Sequence, residues 1–203
     1  MKARLAAAVA ALLLFPGVAT AAESTPSMEV SAATLTFCLT PTAEGKLAEE
    51  GIVLDALEPA VDADADGRRC VRMPVTGRMT PDLDKVDLLA EGGLRFRSAD
   101  RELRFHTIRA QTETGRIVVR ALPNDEDDEV ELFAVDVARV STTPTVEPVG
   151  LELATPLATT ADVAAEFAQA FDRVLFAEGD ELVDATGEVE LISASHVVEG
   201  TLD

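Results

Sequence analysis

The chain has 203 residues, and its 37 acidic residues outnumber 17 lysines and arginines, which gives a net charge of −20. This negative excess repels polyanions, so nucleic acids and anionic lipid surfaces are not expected as general partners. The absence of Trp and Tyr removes the aromatic platforms on which sugars and single-stranded bases usually stack.

Residues 1–22 predict an export signal. Lys2 and Arg4 precede an apolar run at 5–15, and the small residues that follow offer an A-x-A cleavage site. That run is too short to cross a bilayer and no later run is long enough, so no membrane insertion is expected. Two of the 17 bases and none of the 37 acids lie in the signal, so the mature chain carries −22. We expect a protein that is secreted or associated with the cell envelope.

The mature chain is expected to form one domain at 34–192, between a polar leader at 23–33 and a polar tail at 193–203. Its first predicted element is a strand at 34–39. A helix follows, with Thr40 as N-cap and Pro41 as first residue, and it ends at Gly51. Further predictions are an extended segment at 52–57, an acidic loop at 59–69 and a strand at 70–75.

Residues 86–140 predict a meander of antiparallel strands. Apolar and polar residues alternate at 94–97 and again at 103–106, which predicts a hairpin with one buried face. Strands are expected at 116–122 and 130–140, separated by an acidic turn at 124–129. The Thr- and Pro-rich residues 141–148 indicate a connection.

The last part of the domain predicts a strand at 150–154, a long helix and a final strand at 187–192. Thr160 caps the helix and Gly179 is placed to end it. Its buried face is predicted by spacings of three and four at Val163, Phe167, Phe171 and Val174.

The order strand, capped helix, Gly, strand therefore occurs twice. It is consistent with an internal duplication of halves 34–140 and 149–192, and it is also a common arrangement. Either origin predicts a β-rich α+β fold, an antiparallel sheet or sandwich with two helices.

Cys38 and Cys70 predict one disulfide in an exported chain. Closing a loop of about 33 residues stabilises a fold by roughly 3–4 kcal/mol on the chain-entropy estimate. One bridge braces a domain that already has a core.

Several short segments carry a resemblance to a known type of protein: Pro74-Val75-Thr76-Gly77, Glu91-Gly92-Gly93-Leu94-Arg95-Phe96, the run 103–108, and the closing helix with Phe176, Gly179 and 185–189. They resemble uncharacterised cell-surface proteins of high-GC Gram-positive bacteria and, more distantly, haem-acquisition domains of the HtaA type. The resemblance implies an exported β-rich surface protein. Such relatives commonly have a His before Gly-Gly-Leu, where this chain has Ala90 and Glu91. Because Tyr, a common haem ligand, is also absent, we expect no cofactor, with calcium as the alternative.

The calcium alternative rests on Asp62, Asp64 and Asp66, which with Gly67 match the first half of a calcium-binding loop. The second half departs from that pattern, because Met73 stands where a bidentate Glu closes the coordination shell. A solvated acidic loop is therefore expected, with a weak calcium site as the alternative. The acidic turn at 124–129 is likewise expected to be solvated.

The most distinctive polar feature is a group of basic residues on the meander. Seven arginines and three acids lie between Arg95 and Arg120, a local charge of +4. Alternation places six basic side chains on the non-core face of neighbouring strands: Arg95, Arg97, Arg104, His106, Arg116 and Arg120. Like charges on neighbouring strands repel unless acidic groups cover them. The cover is either internal or an external acidic protein or small anionic ligand. The internal candidates are the Asp62 loop and the acidic residues of the helix region, Asp162, Glu166, Asp172 and Glu178.

Two hypotheses about function follow. The first is a non-catalytic binding or surface-interaction module that contacts an acidic protein or anionic ligand through the basic face. The second is a ligand or metal carrier with its site at the Asp62 loop, or an unrecognised secreted hydrolase. The chain has only two histidines, His106 and His196, and neither a G-x-S-x-G elbow nor an H-E-x-x-H helix, so no enzyme is predicted. The sequence makes no prediction of oligomeric state.

Overall fold

The structure is a computed structural model that describes residues 27–124, 126–146 and 149–192. The predicted export signal, residues 23–26 of the polar leader and the polar tail, which includes His196, lie outside the described residues. The elements in chain order are β1 (Met28–Leu39), α1 (Pro41–Glu49), β2 (Val53–Leu57), β3 (Val61–Ala65), β4 (Arg68–Met79), β5 (Val86–Arg97), β6 (Glu102–Glu113), β7 (Arg116–Pro123), β8 (Val130–Asp136), a 3₁₀ turn (Val137–Arg139), β9 (Ser141–Val146), β10 (Val149–Ala158), α2 (Ala161–Phe171) and β11 (Glu181–Ile192).

The strands form one antiparallel sheet with the order β8-β7-β6-β5-β4-β1-β11-β10-β9, to which β2 and β3 are added beside β5 and β4. The predicted β-rich α+β class is confirmed, in the form of a curled sheet. β1 pairs with β4 on one side and β11 on the other, so it joins the early and late strands. An internal duplication with halves at 34–140 and 149–192 stays a prediction.

Strands β4 and β5 each change partner midway. β5 pairs with β4 at Val86–Ala90 and with β2 at Gly93–Arg97. β4 leaves β5 and pairs with β3 through Arg68–Arg72. Gly92 sits at the change with φ 93°, and a Cβ there would lie 2.4 Å from the carbonyl oxygen of Leu57, so only glycine fits this close approach. The divergence of the two strands makes room for the β2–β3 segment.

The core lies on the inner face of the curled sheet, beneath both helices. Phe167 of α2 packs edge-on against Phe96 of β5 and against Phe176, with ring centroids 4.8 and 4.9 Å apart. All seven phenylalanines of the described residues are buried, including Phe167 and Phe171 of the predicted buried helix face. Thr40 and Thr160 are the predicted N-caps, since their hydroxyls accept from the backbone N–H groups of Ala43 and Val163.

The predicted disulfide is confirmed. Cys38 of β1 and Cys70 of β4 are directly opposite in the register, with Cα atoms 4.0 Å apart. The bridge therefore ties two strands that are already hydrogen-bonded neighbours.

Some predicted boundaries are wrong. β1 begins at Met28, inside the segment expected to be a leader, and the expected connection at 141–148 contains β9, which pairs with β10. The Thr- and Pro-rich composition of this segment is typical of a loop. Pro144 is nevertheless tolerated, because β9 is an edge strand and the missing N–H interrupts no inner ladder. Within the described ranges, no helix is long and apolar enough to cross a membrane.

The second helix is shorter than predicted. It ends at Phe171, because Asp172 adopts a left-handed conformation with φ 57°. Val174, expected on the buried face, is consequently 79% exposed. Gly179 lies beyond the helix, and β11 already begins at Glu181.

Candidate functional site

Three arginines converge on one carboxylate at the place where β4 and β5 diverge. Asp55 of β2 is only 8% exposed. Arg97 donates to its Oδ2 from Nη2 at 2.9 Å and from Nε at 3.1 Å. Arg95 Nη2 lies 3.5 Å from the same oxygen, and Arg69 Nη1 lies 3.7 Å from Oδ1. We call these four residues the Asp55 cluster.

The strand register produces this arrangement. Asp55 lies opposite Arg95, while the neighbouring pair Leu54 and Phe96 points into the core. Because successive residues of a strand face opposite sides, the charged pair must lie on the outer face. Arg69 reaches the cluster from β4 and also donates to the carbonyl oxygen of Leu54 at 3.3 Å.

The cluster has two more positive than negative charges. The cluster also contains an unpaired donor: Arg95 Nε is buried and meets no hydrogen-bond partner among the described residues. A buried donor without a partner costs about 1–3 kcal/mol. A ligand can reach the exposed parts of the Arg95 and Arg97 side chains, which are 34% and 53% exposed. Arg104 lies opposite Arg95 on β6 with its Nε 3.2 Å from Glu102, and adds one balanced pair at the rim.

Two further carboxylates lie near the cluster but are used by the backbone. Asp62 Oδ1 accepts from the N–H of Ala56 at 2.7 Å, and Asp64 Oδ1 accepts from the N–H of Gly67 at 3.1 Å. These bonds hold the β2–β3 segment and the β3–β4 turn in place. The carboxylates of Asp62 and Asp64 reduce the positive charge near Arg69, and the positive charge of Arg95 and Arg97 faces outward.

The predicted basic face is divided along β6. Arg95 lies opposite Arg104, whereas Arg116 lies opposite Glu113, nine residues further along β6, which is about 30 Å at the rise of a strand. Arg116 Nε is 3.7 Å from Asp136 Oδ1. The structure thus brings Arg95, Arg97 and Arg104 together and places Arg116 elsewhere.

Arg120 is also engaged away from the cluster. It lies opposite Arg109 and donates to both oxygens of Glu113, at 2.6 and 3.0 Å. Those hydrogen bonds lower the pKa of the Glu113 carboxyl. The bidentate pair neutralises this part of the face.

His106 holds a turn. Its Nε2 donates to the carbonyl oxygen of Asn124 at 2.5 Å, and its Nδ1 is 3.1 Å from the hydroxyl of Thr107. Arg104 supports the same turn, because its backbone N–H donates to the side-chain oxygen of Asn124 at 3.1 Å. Both ring nitrogens of His106 therefore have partners.

The carboxylate that balances Arg95 and Arg97 was missed by the sequence analysis. Of the acidic helix region, Asp172 lies 3.7 Å from Arg101, and Asp162 accepts from the backbone N–H of Glu131. The available signal was an isolated charge, since Asp55 is the one charged residue in the apolar segment 52–57.

The acidic helix region has a different electrostatic role. Glu166 of α2 is partly buried near Glu126 of the β7–β8 turn. Burial, then repulsion by Glu126 and Asp162, raises the pKa of the Glu166 carboxyl. In the acidic turn itself Asp125 is outside the described residues, and Glu126 to Glu129 are exposed, as predicted.

The predicted calcium loop is a β-hairpin. Asp62 and Asp64 belong to β3, and Asp66 and Gly67, with φ 56° and 76°, form the two-residue turn into β4. Asp62 Oδ1 and Asp64 Oδ1 already accept hydrogen bonds from the backbone N–H groups of Ala56 and Gly67, so these carboxylates hold the hairpin. Within the described residues, no group of three or more His, Cys, Asp or Glu side chains is placed to hold a metal.

Comparison with known proteins gives a likeness of fold. No family model matches the chain, and no curated protein matches it. Among solved structures, the C-terminal domain of HtaA from Corynebacterium glutamicum superimposes with a TM-score of 0.57 at 8% identity, covering 81% of this chain and 99% of that domain. The heme binding protein HtaB from the same organism gives 0.47 at 10% identity, covering 82% and 98%.

The likeness to the HtaA domain corrects the cofactor prediction of none or calcium, because domains of the HtaA type are the haem-acquisition domains that the sequence resembles. The Asp62 segment forms a strand and a two-residue turn instead of a calcium-binding loop. At such low identity the likeness to the HtaA domain shows a shared fold, as the distant resemblance in sequence implied.

Proposed function

We propose that this chain is a non-catalytic binding module that holds carboxylate groups of a small anionic ligand at the Asp55 cluster. One observation carries the proposal: Arg69, Arg95 and Arg97 share the carboxylate of Asp55. Guanidinium groups form bidentate, charge-assisted bonds with carboxylates, and Arg95 and Arg97 have donors that face outward or lack a partner. Arg104, which pairs with Glu102, lies beside the cluster on the same face, whereas Arg116 and Arg120 pair with acids elsewhere.

Haem is the first ligand to test, because the chain shares its fold with the HtaA domain and its motifs resemble haem-acquisition domains. Haem supplies two carboxylates and an iron atom. We expect the carboxylates to bind at the Asp55 cluster, beside which Arg104 lies on the same face of adjacent strands. Binding through these groups orients the ligand along β5 and β6.

The common iron ligands are absent, engaged or packed in the described residues. The chain has no Tyr, both cysteines form the disulfide, Met73 and Met79 are fully buried, and the partly buried Met28 packs against the apolar cluster around Met79 and Leu83. His106 would have to release Asn124 first. The proposal therefore rests on recognition of carboxylates and involves no step at iron.

The proposed site of action is outside the cytoplasm. The Cys38–Cys70 disulfide supports this, because such bridges persist in oxidising compartments. Mass spectrometry of the protein expressed from its full reading frame should show a mature N-terminus at Glu23. Recovery of the intact N-terminus in the cytoplasmic fraction would contradict export.

A binding series with and without iron and carboxylates tests the function. Haem, metal-free protoporphyrin IX, its dimethyl ester and citrate are titrated by calorimetry at about 50 mM salt, where charge interactions are weakly screened. We expect haem and the free-acid porphyrin to bind with similar affinity and the ester at least tenfold more weakly. Equal binding of the ester, or binding of none of the carboxylates, overturns the proposal.

Matched variants locate the site. Arg95→Ala and Arg97→Ala are each expected to weaken porphyrin binding by about 10- to 100-fold, the value of a charge-assisted hydrogen bond. Arg116→Ala changes the charge equally on the same face about 30 Å away and should have little effect. Asp55→Asn should strengthen binding, because it releases the donors of Arg97. A loss with Arg116→Ala as large as that with Arg95→Ala would remove the Asp55 cluster as the site.

A further inference from the structure

An apolar cavity lies inside the curled sheet, on the face opposite the Asp55 cluster. It has a main lobe of about 90 Å³ and an adjoining lobe of about 40 Å³. Both lobes share the same six lining residues: Leu35, Leu88, Ala110, Val119, Leu153 and Gly187. None of these carries a polar side chain, so the centre of the cavity has no group to hold water.

The cavity exists because the core is divided. A large apolar cluster under the helices and a smaller one around Met79 and Leu83 both contact Leu88 and Ala110 without closing the space between them. Small residues keep the space open. A Cβ added at Gly187 would lie 3.6 Å from Leu153 and 3.7 Å from Leu35, at ordinary contact distance.

The cavity lies along the seam between the two ends of the sheet. The strand order starts at β8 and ends at β9, so the described residues include no hydrogen-bonded ladder between these edges. At one end the seam is closed by the hydroxyl of Thr160, which donates to the carbonyl oxygen of Glu131, and at the other by the 3₁₀ turn Val137–Arg139, which joins β8 to β9. Elsewhere Val135 and Val140 line the cavity from one side and Leu153 and Thr155 from the other.

The lining of the cavity is incompletely buried. Leu35, Leu88, Ile117 and Leu153 lie on the inner face, yet each is only partly buried. The helices contact other parts of the sheet, chiefly β8, β6, β11 and β1. Inward-facing aliphatic side chains that solvent still reaches are available for contact with an apolar ligand.

We propose that this cavity binds the end of an alkyl chain, which enters through the seam and leaves a polar head group outside near Thr155. The two lobes together approach the roughly 150 Å³ of an engineered apolar cavity that stays dry and binds benzene. This volume suits about four to six carbons. The site is independent of the Asp55 cluster, because it lies on the other face of the sheet.

A series of 1-alkanols from butanol to octanol measures the fit. Binding is followed by NMR of the ¹³C-labelled methyl groups of leucine and valine. Each added CH₂ should lower the Kd by about fourfold, the transfer free energy of one methylene, until the cavity is filled near six carbons. Shifts should concentrate at Leu35, Leu88 and Leu153. A Kd that does not depend on chain length, or shifts spread over distant methyl groups, overturns the proposal.

Cavity-filling variants and xenon, a probe small enough to enter without an open seam, complete the test. Gly187→Ala and Ala110→Leu should each weaken 1-hexanol binding at least tenfold, while Ala134→Leu, on the outer face of β8, should change it less than twofold. Gly187→Ala decides the matter if Ala110→Leu does not fold, since its added Cβ meets only ordinary contacts. Unchanged binding in Gly187→Ala overturns the site. Xenon shifts at the same methyl groups without alkanol binding show a closed cavity and overturn chain entry.

Discussion

Replacing Asp55 tests the electrostatic account of the cluster most directly. Asp55→Ala removes two hydrogen bonds from Arg97 and leaves three guanidinium groups facing one another. Hydrogen bonds to charged groups contribute about 1.5–3 kcal/mol, and the Arg97 side chain is 53% exposed, which favours the lower part of that range. We expect a loss of about 2 kcal/mol in the free energy of unfolding, or about 4–8 °C in Tm for a domain of this size.

Salt separates repulsion from other losses in this variant. At 1 M NaCl the Debye length falls to about 3 Å, so the arginines of Asp55→Ala repel less and part of the deficit should disappear. Urea unfolding followed by circular dichroism at pH 7 and at two salt concentrations measures both quantities. Asp127→Ala, in the exposed acidic turn, makes the same charge change and is expected to stay within about 0.5 kcal/mol of the parent. Equal stabilities of the two variants, or no salt dependence, would refute the reasoning.

Three further variants test the fold and its titration. Gly93→Ala places a Cβ 2.1 Å from the carbonyl oxygen of Phe105, so we expect a loss above about 3 kcal/mol in urea unfolding, and a loss below about 1 kcal/mol would contradict the register. Glu166→Gln should stabilise the protein at pH 7. The raised pKa of Glu166 makes the folded state bind more protons, so the parent loses stability as the pH rises above the carboxyl's ordinary value, and the two proteins should converge below that pH. A constant difference between pH 3 and 7 would contradict this. Replacing Cys38 and Cys70 together with Ser should cost about 3–4 kcal/mol in denaturant unfolding, and no change would show that strand pairing alone constrains this loop.

Elements whose signals are local were predicted well. The threonine caps of both helices need only a hydroxyl and the following turn, and the β5–β6 hairpin needs only alternation around a short turn. The disulfide required no more than two cysteines in an exported chain.

Elements that depend on distant partners were missed. The segment Val61–Ala65 has the composition of an acidic loop, and it is a strand because β4 supplies its ladder. Strand propensity reflects such pairing and packing more than any intrinsic preference of the backbone. The same long-range pairing with β10 makes β9 a strand despite Pro144.

The amino-acid sequence by itself determined the β-rich class, the expectation of export, the bridged cysteines and the concentration of arginines on the outer face of the meander. These properties depend on composition, short motifs and alternation, which are readable along the chain. The tertiary structure decided which arginines meet and which acid they share. Asp55 and Arg97 are 42 residues apart and Arg69 belongs to a third strand, so only the divergence of β4 and β5 brings them together. The cavity was decided in the same way, because whether aliphatic side chains fill the space inside a curled sheet depends on strands that are distant in sequence.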